Sequence, residues 1–224
     1  MPPTPDTNGP RLEAAHPFRL RLALASFAAG GAVLLAVVAG LTRQADATLL
    51  DDLRLSPQQP AWLLEAVRDL TALGSFTVLG LAVLATTGFL LAKGRAGLAV
   101  QFLASALGAT AFSSLLKLAV DRARPDAVEA LAATFTRSFP SGHALLTAAI
   151  VLTIGGFLTL TVREPAARKM VWAVAGTTAL LVGLSRLFLG VHWPSDVLAG
   201  WFFGLGWALL TLNWTARSWP RQQG

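Results

Sequence analysis

The chain contains no cysteine, so disulfides, Cys-ligated metal centres and thiol chemistry are all excluded, and the compartment is left open. Charge is scarce as well. Charged residues make up 13% of the 224 residues against 54% apolar, and the mean hydropathy of +0.58 lies outside the range of ordinary soluble domains. The scarcity is concentrated. Six stretches, Leu22–Thr42, Leu70–Ala92, Ala96–Leu116, Ala144–Val162, Met170–Ser185 and Val197–Ala216, carry no Asp, Glu, Lys or Arg. Each approaches the roughly 20 apolar residues that an α-helix needs to cross a hydrocarbon core. Backbone groups there have no water to bond, so helices are the economical solution. The fifth window is short, and its helix is expected to run on to about Phe188.

These windows predict an all-α, polytopic membrane protein of six transmembrane helices. Residues 18–217 form one membrane domain, with cytoplasmic tails at 1–17, rich in Pro and polar groups and expected to be disordered, and at 218–224. The loops are too short for a second domain. The first window is longer than the apolar core of a signal peptide, so Ala45-Asp46-Ala47 is not read as a cleavage site.

A net charge of +6 would suggest nucleic acid in a soluble protein, but here its distribution matters more. Arg11, Arg19, Arg21, Lys93, Arg95, Arg163, Arg168, Lys169, Arg217 and Arg221 gather at the two ends and the even-numbered loops, opposed only by Asp6, Glu13 and Glu164. By the positive-inside rule that side is cytoplasmic and the odd-numbered loops face outward. The partners implied are a lipid bilayer and no nucleic acid. Between the first two spans, Leu49, Leu50, Leu53, Trp62, Leu63, Ala66, Val67 and Leu70 recur at helical spacing beside acidic residues, with Pro57 and Pro60 dividing two pieces. This 44–69 segment is expected to be an extracytoplasmic amphipathic helix that packs as a lid on the bundle.

Three polar clusters fall on the outward side. Lys117 and Arg124 are seven residues apart, two helical turns, and would share a face if the third helix continued that far, with Pro125 ending it. Alone, they read more readily as snorkelling anchors than as ligands. Next comes Phe139-Pro140-Ser141-Gly142-His143, just before the fourth span. Ser141 suits a helix N-cap, Gly142 permits close approach of a ligand, and a helix N-terminus favours anions. His143 in the first turn could pass a proton to something bound there. The third cluster holds Ser185, Arg186, His192 and Asp196. Four residues separate His192 from Asp196, so on a helix the carboxylate could fix the imidazole tautomer and leave the other nitrogen as base or nucleophile.

Three cations, a helix N-terminus, two histidines and one aspartate on one membrane face complement a dianionic phosphate ester. No carboxylate cluster suited to Mg²⁺ stands near them, so neither metal nor cofactor is expected.

The spacing K-x6-RP, then PSGH, then SR-x5-H-x3-D resembles the three-part signature of the type 2 phosphatidic acid phosphatase superfamily, which also includes vanadium haloperoxidases. Every signature position between Lys117 and Asp196 is filled. The resemblance implies that His192 is a nucleophile forming a phosphohistidine, that Asp196 orients it, and that His143 is the general acid. It further implies that Lys117, Arg124, Ser141, Gly142 and Arg186 hold the phosphoryl oxygens. Asp121, Arg122 and Arg137 lie beside the motifs and are left out of the catalytic set. A head-group site at the outer leaflet suits an amphiphile whose tail stays in lipid, so the expected activity is metal-independent hydrolysis of lipid phosphates or isoprenoid pyrophosphates at a bacterial inner membrane. Undecaprenyl pyrophosphate, phosphatidic acid and phosphatidylglycerophosphate all qualify. A vanadate-dependent haloperoxidase-like enzyme and a phospholipid or phosphate transporter are the alternatives.

Overall fold

The computed structural model describes residues 9–56, 58–125, 137–162 and 164–218. In chain order these build eight helices: α1 (Gly9–Val38), α2 (Arg43–Leu53), α3 (Ala61–Ala72), α4 (Phe76–Ala92), α5 (Ala96–Val120), α6 (Gly142–Thr161), α7 (Pro165–Phe188) and α8 (Pro194–Ser218). Among the described residues there is no strand. Segments of α1, α5, α6, α7 and α8 are long and apolar enough to cross a membrane, and α3 with α4, bent by 43° at their junction, pass the same test only when taken as one pair. The protein is an integral membrane protein, all-helical as the windows predict. Helix α7 ends at Phe188, the expected extension of the fifth window.

The second window is the one that differs in shape. Its first residues belong to α3, and the chain breaks at Gly74-Ser75 before α4 begins at Phe76. Ser75 explains the restart: its Oγ accepts the Val78 N–H at 3.2 Å, an N-cap that satisfies one of the orphan donors of a new helix. Windows of uncharged residues cannot register such a break, because Ser and Gly add no charge. At the N-terminal end, α1 takes in residues 9–17 of the stretch expected to be disordered, with Pro17 inside the helix. Residues 1–8 and 219–224 of the two tails lie outside the described residues.

Helices α6 and α8 form the centre. Helix α8 packs on α1 and α6, α6 on α7, α4 on α5, and α3 on α7. Small residues bring the two central helices together: a Cβ added to Gly200 would lie 2.9 Å from Ser141 O, and one on Gly204 2.7 Å from Ala148 Cβ. Close backbone approach through glycine is a common way to associate helices in lipid, where the hydrophobic effect supplies little between them. An aromatic group of Phe27, Phe112, Phe203 and Trp207 fills the gap between α1, α5 and α8. Outward-facing Leu24, Leu35, Leu81, Leu84, Val100 and Leu107 remain exposed, as suits contact with lipid.

The packing gathers the C-terminal ends of α5 and α7 and the N-terminal ends of α6 and α8 at one end of the bundle. Helices α2 and α3 lie at that same end, α2 contacting α7 and α8 and α3 contacting α7. The two expected pieces of the amphipathic segment are these helices, the first ending at Leu53 and the second starting at Ala61, and they pack on the bundle.

Candidate active site

All eight residues singled out in the sequence meet at this end. Lys117 occupies the last turn of α5, Ser141, Gly142 and His143 begin α6, Arg186 ends α7, and Asp196 lies in the first turn of α8. Arg124 and His192 stand on the connecting segments. Two local expectations are corrected. Helix α5 stops at Val120, with Asp121 in a left-handed conformation at φ 49°, so Arg124 does not share a helical face with Lys117. It reaches the site through an extended segment instead. His192 likewise precedes α8 rather than sitting on it, and Gly190 puts it there. With φ 67°, Gly190 takes up the left-handed turn that ends α7, its N–H bonding Leu187 O at 2.8 Å while the Val191 N–H bonds Arg186 O at 3.1 Å.

The buried heart is the His192–Asp196 pair, 2% and 0% exposed. His192 Nδ1 lies 3.4 Å from Asp196 Oδ2, and Arg124 Nη1 lies 3.0 Å from His192 Nε2. A guanidinium has no acceptor, so Nε2 must offer its lone pair to Arg124, and the ring proton is on Nδ1, facing the carboxylate. Burial pushes the imidazole down from its ordinary 6.5 to about 3, opposed by its bond to Asp196, so the ring is neutral at pH 7. Arg124 also donates to Val191 O at 2.7 Å, and burial lowers its pKa while Asp196 pulls the other way. Oδ2 of Asp196 accepts from Ser138 Oγ and, at 3.0 Å, from the Trp193 N–H. The latter bond is the N3-to-N-cap half of a capping box at the start of α8.

Around this pair stand donors that suit an anion. The Oγ of Ser141 is fully buried without a hydrogen-bond partner, and so is Nε of Arg186. Ser141 occupies the N-cap position of α6 as expected, yet its side chain makes no cap bond. Buried polar atoms are normally satisfied, so these two orphaned donors, one of them at a helix N-terminus, have the character of ligand groups. Arg186 is steadied by Nη1 donating to Thr71 Oγ1 at 2.7 Å, and Lys117 Nζ donates to Arg137 O and Pro140 O, both at 2.8 Å. A Cβ on Gly142 would meet Lys117 Cε at 3.7 Å, so the glycine leaves the space beside the ammonium open. His143 is half-buried and close enough to Arg186, His192, Arg124 and Lys117 to interact with all four electrostatically. Among the described residues no group of three His, Cys, Asp or Glu could hold a metal ion.

The structure also recruits residues that sequence reasoning passed over. Arg122, set aside beside the first motif, donates through Nη1 to Asp196 Oδ1 at 2.6 Å and through Nη2 to Asp46 Oδ2 at 2.7 Å. Asp46 of α2 is 3% exposed and accepts from both the N–H and the Oγ of Ser195, 149 positions away. No local pattern marks Asp46. Ser138, three residues before Ser141, could have been noticed only by extending the second motif backward. Asp121 and Arg137, by contrast, pair with each other at the exposed surface.

The chain and its fold are similar to those of known phosphatases. The family model for the PAP2 superfamily matches residues 98–220. Phosphatidylglycerophosphatase B of Bacillus subtilis is 34% identical over 151 residues, 66% of this chain and 72% of that protein. An undecaprenyl-diphosphatase of Sulfolobus acidocaldarius is 48% identical over 67 residues, 30% of this chain and 28% of that protein. The crystal structure of a transmembrane PAP2-type phosphatidylglycerolphosphate phosphatase from Bacillus subtilis superposes with a TM-score of 0.79 at 27% identity, covering 90% of this chain and 98% of that one. The match spans the helical bundle and all three polar clusters, and the chain belongs to the PAP2 superfamily as a membrane-embedded phosphatase.

Proposed function

We propose that this phosphatase hydrolyses the phosphate or pyrophosphate head group of membrane lipids through a phosphohistidine. The observation that carries the reading is the line Arg124–His192–Asp196, with the two orphaned donors Ser141 Oγ and Arg186 Nε beside it. As Arg124 transfers its hydrogen bond from the ring to a phosphoryl oxygen, the freed lone pair of His192 Nε2 attacks phosphorus, and Asp196 stabilises the positive charge that develops on the ring. Lys117, Arg124, Arg186, Ser141 and the N–H groups opening α6 hold the phosphoryl oxygens, supplying the positive field without a divalent metal. His143 gives its proton to the leaving oxygen. In the second half it takes a proton from water, which attacks the phosphohistidine and releases inorganic phosphate.

An amphiphilic substrate is favoured because the site lies at the end of a bundle whose flanks suit lipid. The curated relatives named above act on a phosphatidylglycerophosphate and an undecaprenyl diphosphate, which are the substrate classes to test first. The clustering of Arg and Lys at the opposite end favours cytoplasmic termini and an extracytoplasmic site. Hydrolysis there would suit recycling of a carrier lipid whose pyrophosphate is exposed after delivery of its cargo. The test is inorganic phosphate release by detergent-purified protein on phosphatidic acid, phosphatidylglycerophosphate and undecaprenyl pyrophosphate, with and without EDTA. Release from at least one lipid, unchanged by EDTA, is expected. Activity abolished by the chelator and restored by Mg²⁺ would sink the metal-free mechanism, and no release from any lipid would sink the substrate class.

A further inference from the structure

We infer that Arg122 and Asp46 are positioning residues for the catalytic carboxylate: together they set the plane of Asp196 and thereby the tautomer and aim of His192. The inference rests on the assignment of His192 as nucleophile and extends the site to α2, which the sequence offers only as an amphipathic lid.

A carboxylate's terminal torsion is soft, with a broad, roughly two-fold distribution, so a backbone address alone does not hold an aspartate in one plane. Asp196 is held from both sides. Oδ2 takes Ser138 Oγ and the Trp193 N–H, leaving it in reach of His192 Nδ1, while Oδ1 is taken by Arg122 Nη1 at 2.6 Å. All three bonds end on a charged acceptor, but the Arg122 bond alone also has a charged donor, so ion-pair attraction is added to the hydrogen bond. Arg122 is itself immobilised. Its Nη2 is bound to Asp46 Oδ2, its Nη1 also reaches Ser195 Oγ at 2.8 Å, and its guanidinium lies over the Trp193 ring, 5.6 Å from the centroid.

Asp46 in turn has every reason to stay where it is. Its Oδ1 accepts the Ser195 N–H at 2.8 Å and its Oδ2 the Ser195 hydroxyl at 2.7 Å, so both oxygens are committed to the residue beside Asp196 and to Arg122. Leu50 is the one other buried residue of α2. Beside the apolar contacts of Leu50 and half-buried Leu53, the helix docks through a carboxylate taken out of water, a costly anchor unless paired and fully bonded. If seating α2 were the sole purpose, an apolar contact would serve as well or better. A buried ion triad ending on the nucleophile's partner is the arrangement expected when alignment is what matters.

The test compares Asp46→Asn, Arg122→Gln and Arg122→Lys with the full-length wild-type protein in detergent. Asp51→Asn serves as control, since Asp51 lies on the same helix in an exposed pair with Arg54 at 3.2 Å. Two readouts are taken. The first is steady-state kcat and KM on a lipid phosphate. The second is the ¹⁵N shift pattern of the His192 ring, assigned against His192→Gln, which requires no turnover. For Asp46→Asn, kcat should drop on the order of 10- to 100-fold with KM unchanged, the range typical of removing an orienting partner behind a ligating group. Arg122→Gln should fall at least as far. Arg122→Lys should fall with it, because a single ammonium cannot span two carboxylates as the planar fork does. The wild-type ring should read as Nδ1-protonated, and the Asp46 and Arg122 variants as a mixture of tautomers. Wild-type kcat in a folded Asp46→Asn protein, full rescue by lysine, or an unchanged ring tautomer would each overturn the inference. So would an equal loss in Asp51→Asn. A wild-type protein inactive on lipids would refute the proposed function instead, while the ring tautomers would still decide the roles of Arg122 and Asp46.

Discussion

Replacing Gly74 by alanine should cripple turnover of substrates with poor leaving groups and largely spare activated ones. Gly74 lies in the bend between α3 and α4, its N–H bonded to Thr71 O at 3.0 Å. A Cβ built there would stand 2.8 Å from Thr147 Oγ1, 3.1 Å from His143 Cδ2 and nearer still to Val182 Cγ1. Comfortable carbon contacts are about 3.5–4.0 Å, so the neighbours must give. Val182 and Thr147 are both 0% exposed, locked in the packing of α7 and α6. His143 is half-buried and is the neighbour with room to move. Overpacking of this kind costs about 1–3 kcal/mol of stability. Displacing the ring would also take the proposed general acid from the leaving oxygen, a contribution worth about 10²- to 10⁴-fold when lost outright. Partial displacement sets the expected loss near the lower limit, about 100-fold in kcat on a lipid phosphate. An aryl phosphate, whose leaving oxygen needs no proton, should lose little. Steady-state kinetics on both substrates, with thermal unfolding in detergent to follow the packing cost, provides the assay. Equal losses on the two substrates, or none on either, would refute the reasoning.

The two histidines should fail differently: His192→Ala loses the covalent route on every substrate, whereas His143→Ala is penalised least by an activated aryl phosphate, and identical relative losses would count against these roles. Because the folded His192 pKa of about 3 lies below its ordinary 6.5, the neutral ring's contribution to stability is complete above pH 6.5 and is lost as pH falls toward 3. The unfolding midpoint should therefore decline between about pH 7 and about pH 5, with a shallower slope in His192→Gln, and parallel slopes would argue against a buried neutral ring. For orientation, the cysteine-free chain permits clean single-Cys probes. Exposed Asp52 on α2, replaced by Cys, should react in intact cells with a membrane-impermeant maleimide, and exposed Ala166 on α7 only after the membrane is opened. The reverse pattern would move the chemistry to the cytoplasm.

What the sequence determined by itself was the class of fold and the chemical parts of the site. Crossing a bilayer demands uninterrupted apolar length, so charge-free windows mark helices without knowledge of their neighbours. Lys117, Arg124, Ser141, Gly142, His143, Arg186, His192 and Asp196 were legible because their relations are short-range in the chain, set by motif spacing and by helix ends. Tertiary structure alone decided the rest. Arg124 meets His192 through an extended segment, because Asp121 turns the chain out of α5. The bend at Gly74 and Ser75 looks like one more apolar stretch until α3 is seen lying on α7 and the turn against His143. Asp46 and Arg122 are, in sequence, a charge on a lid and a charge beside a motif. Their pairing joins α2 to α8 across residues that share no local pattern, and helix packing is what brings their side chains within hydrogen-bonding distance.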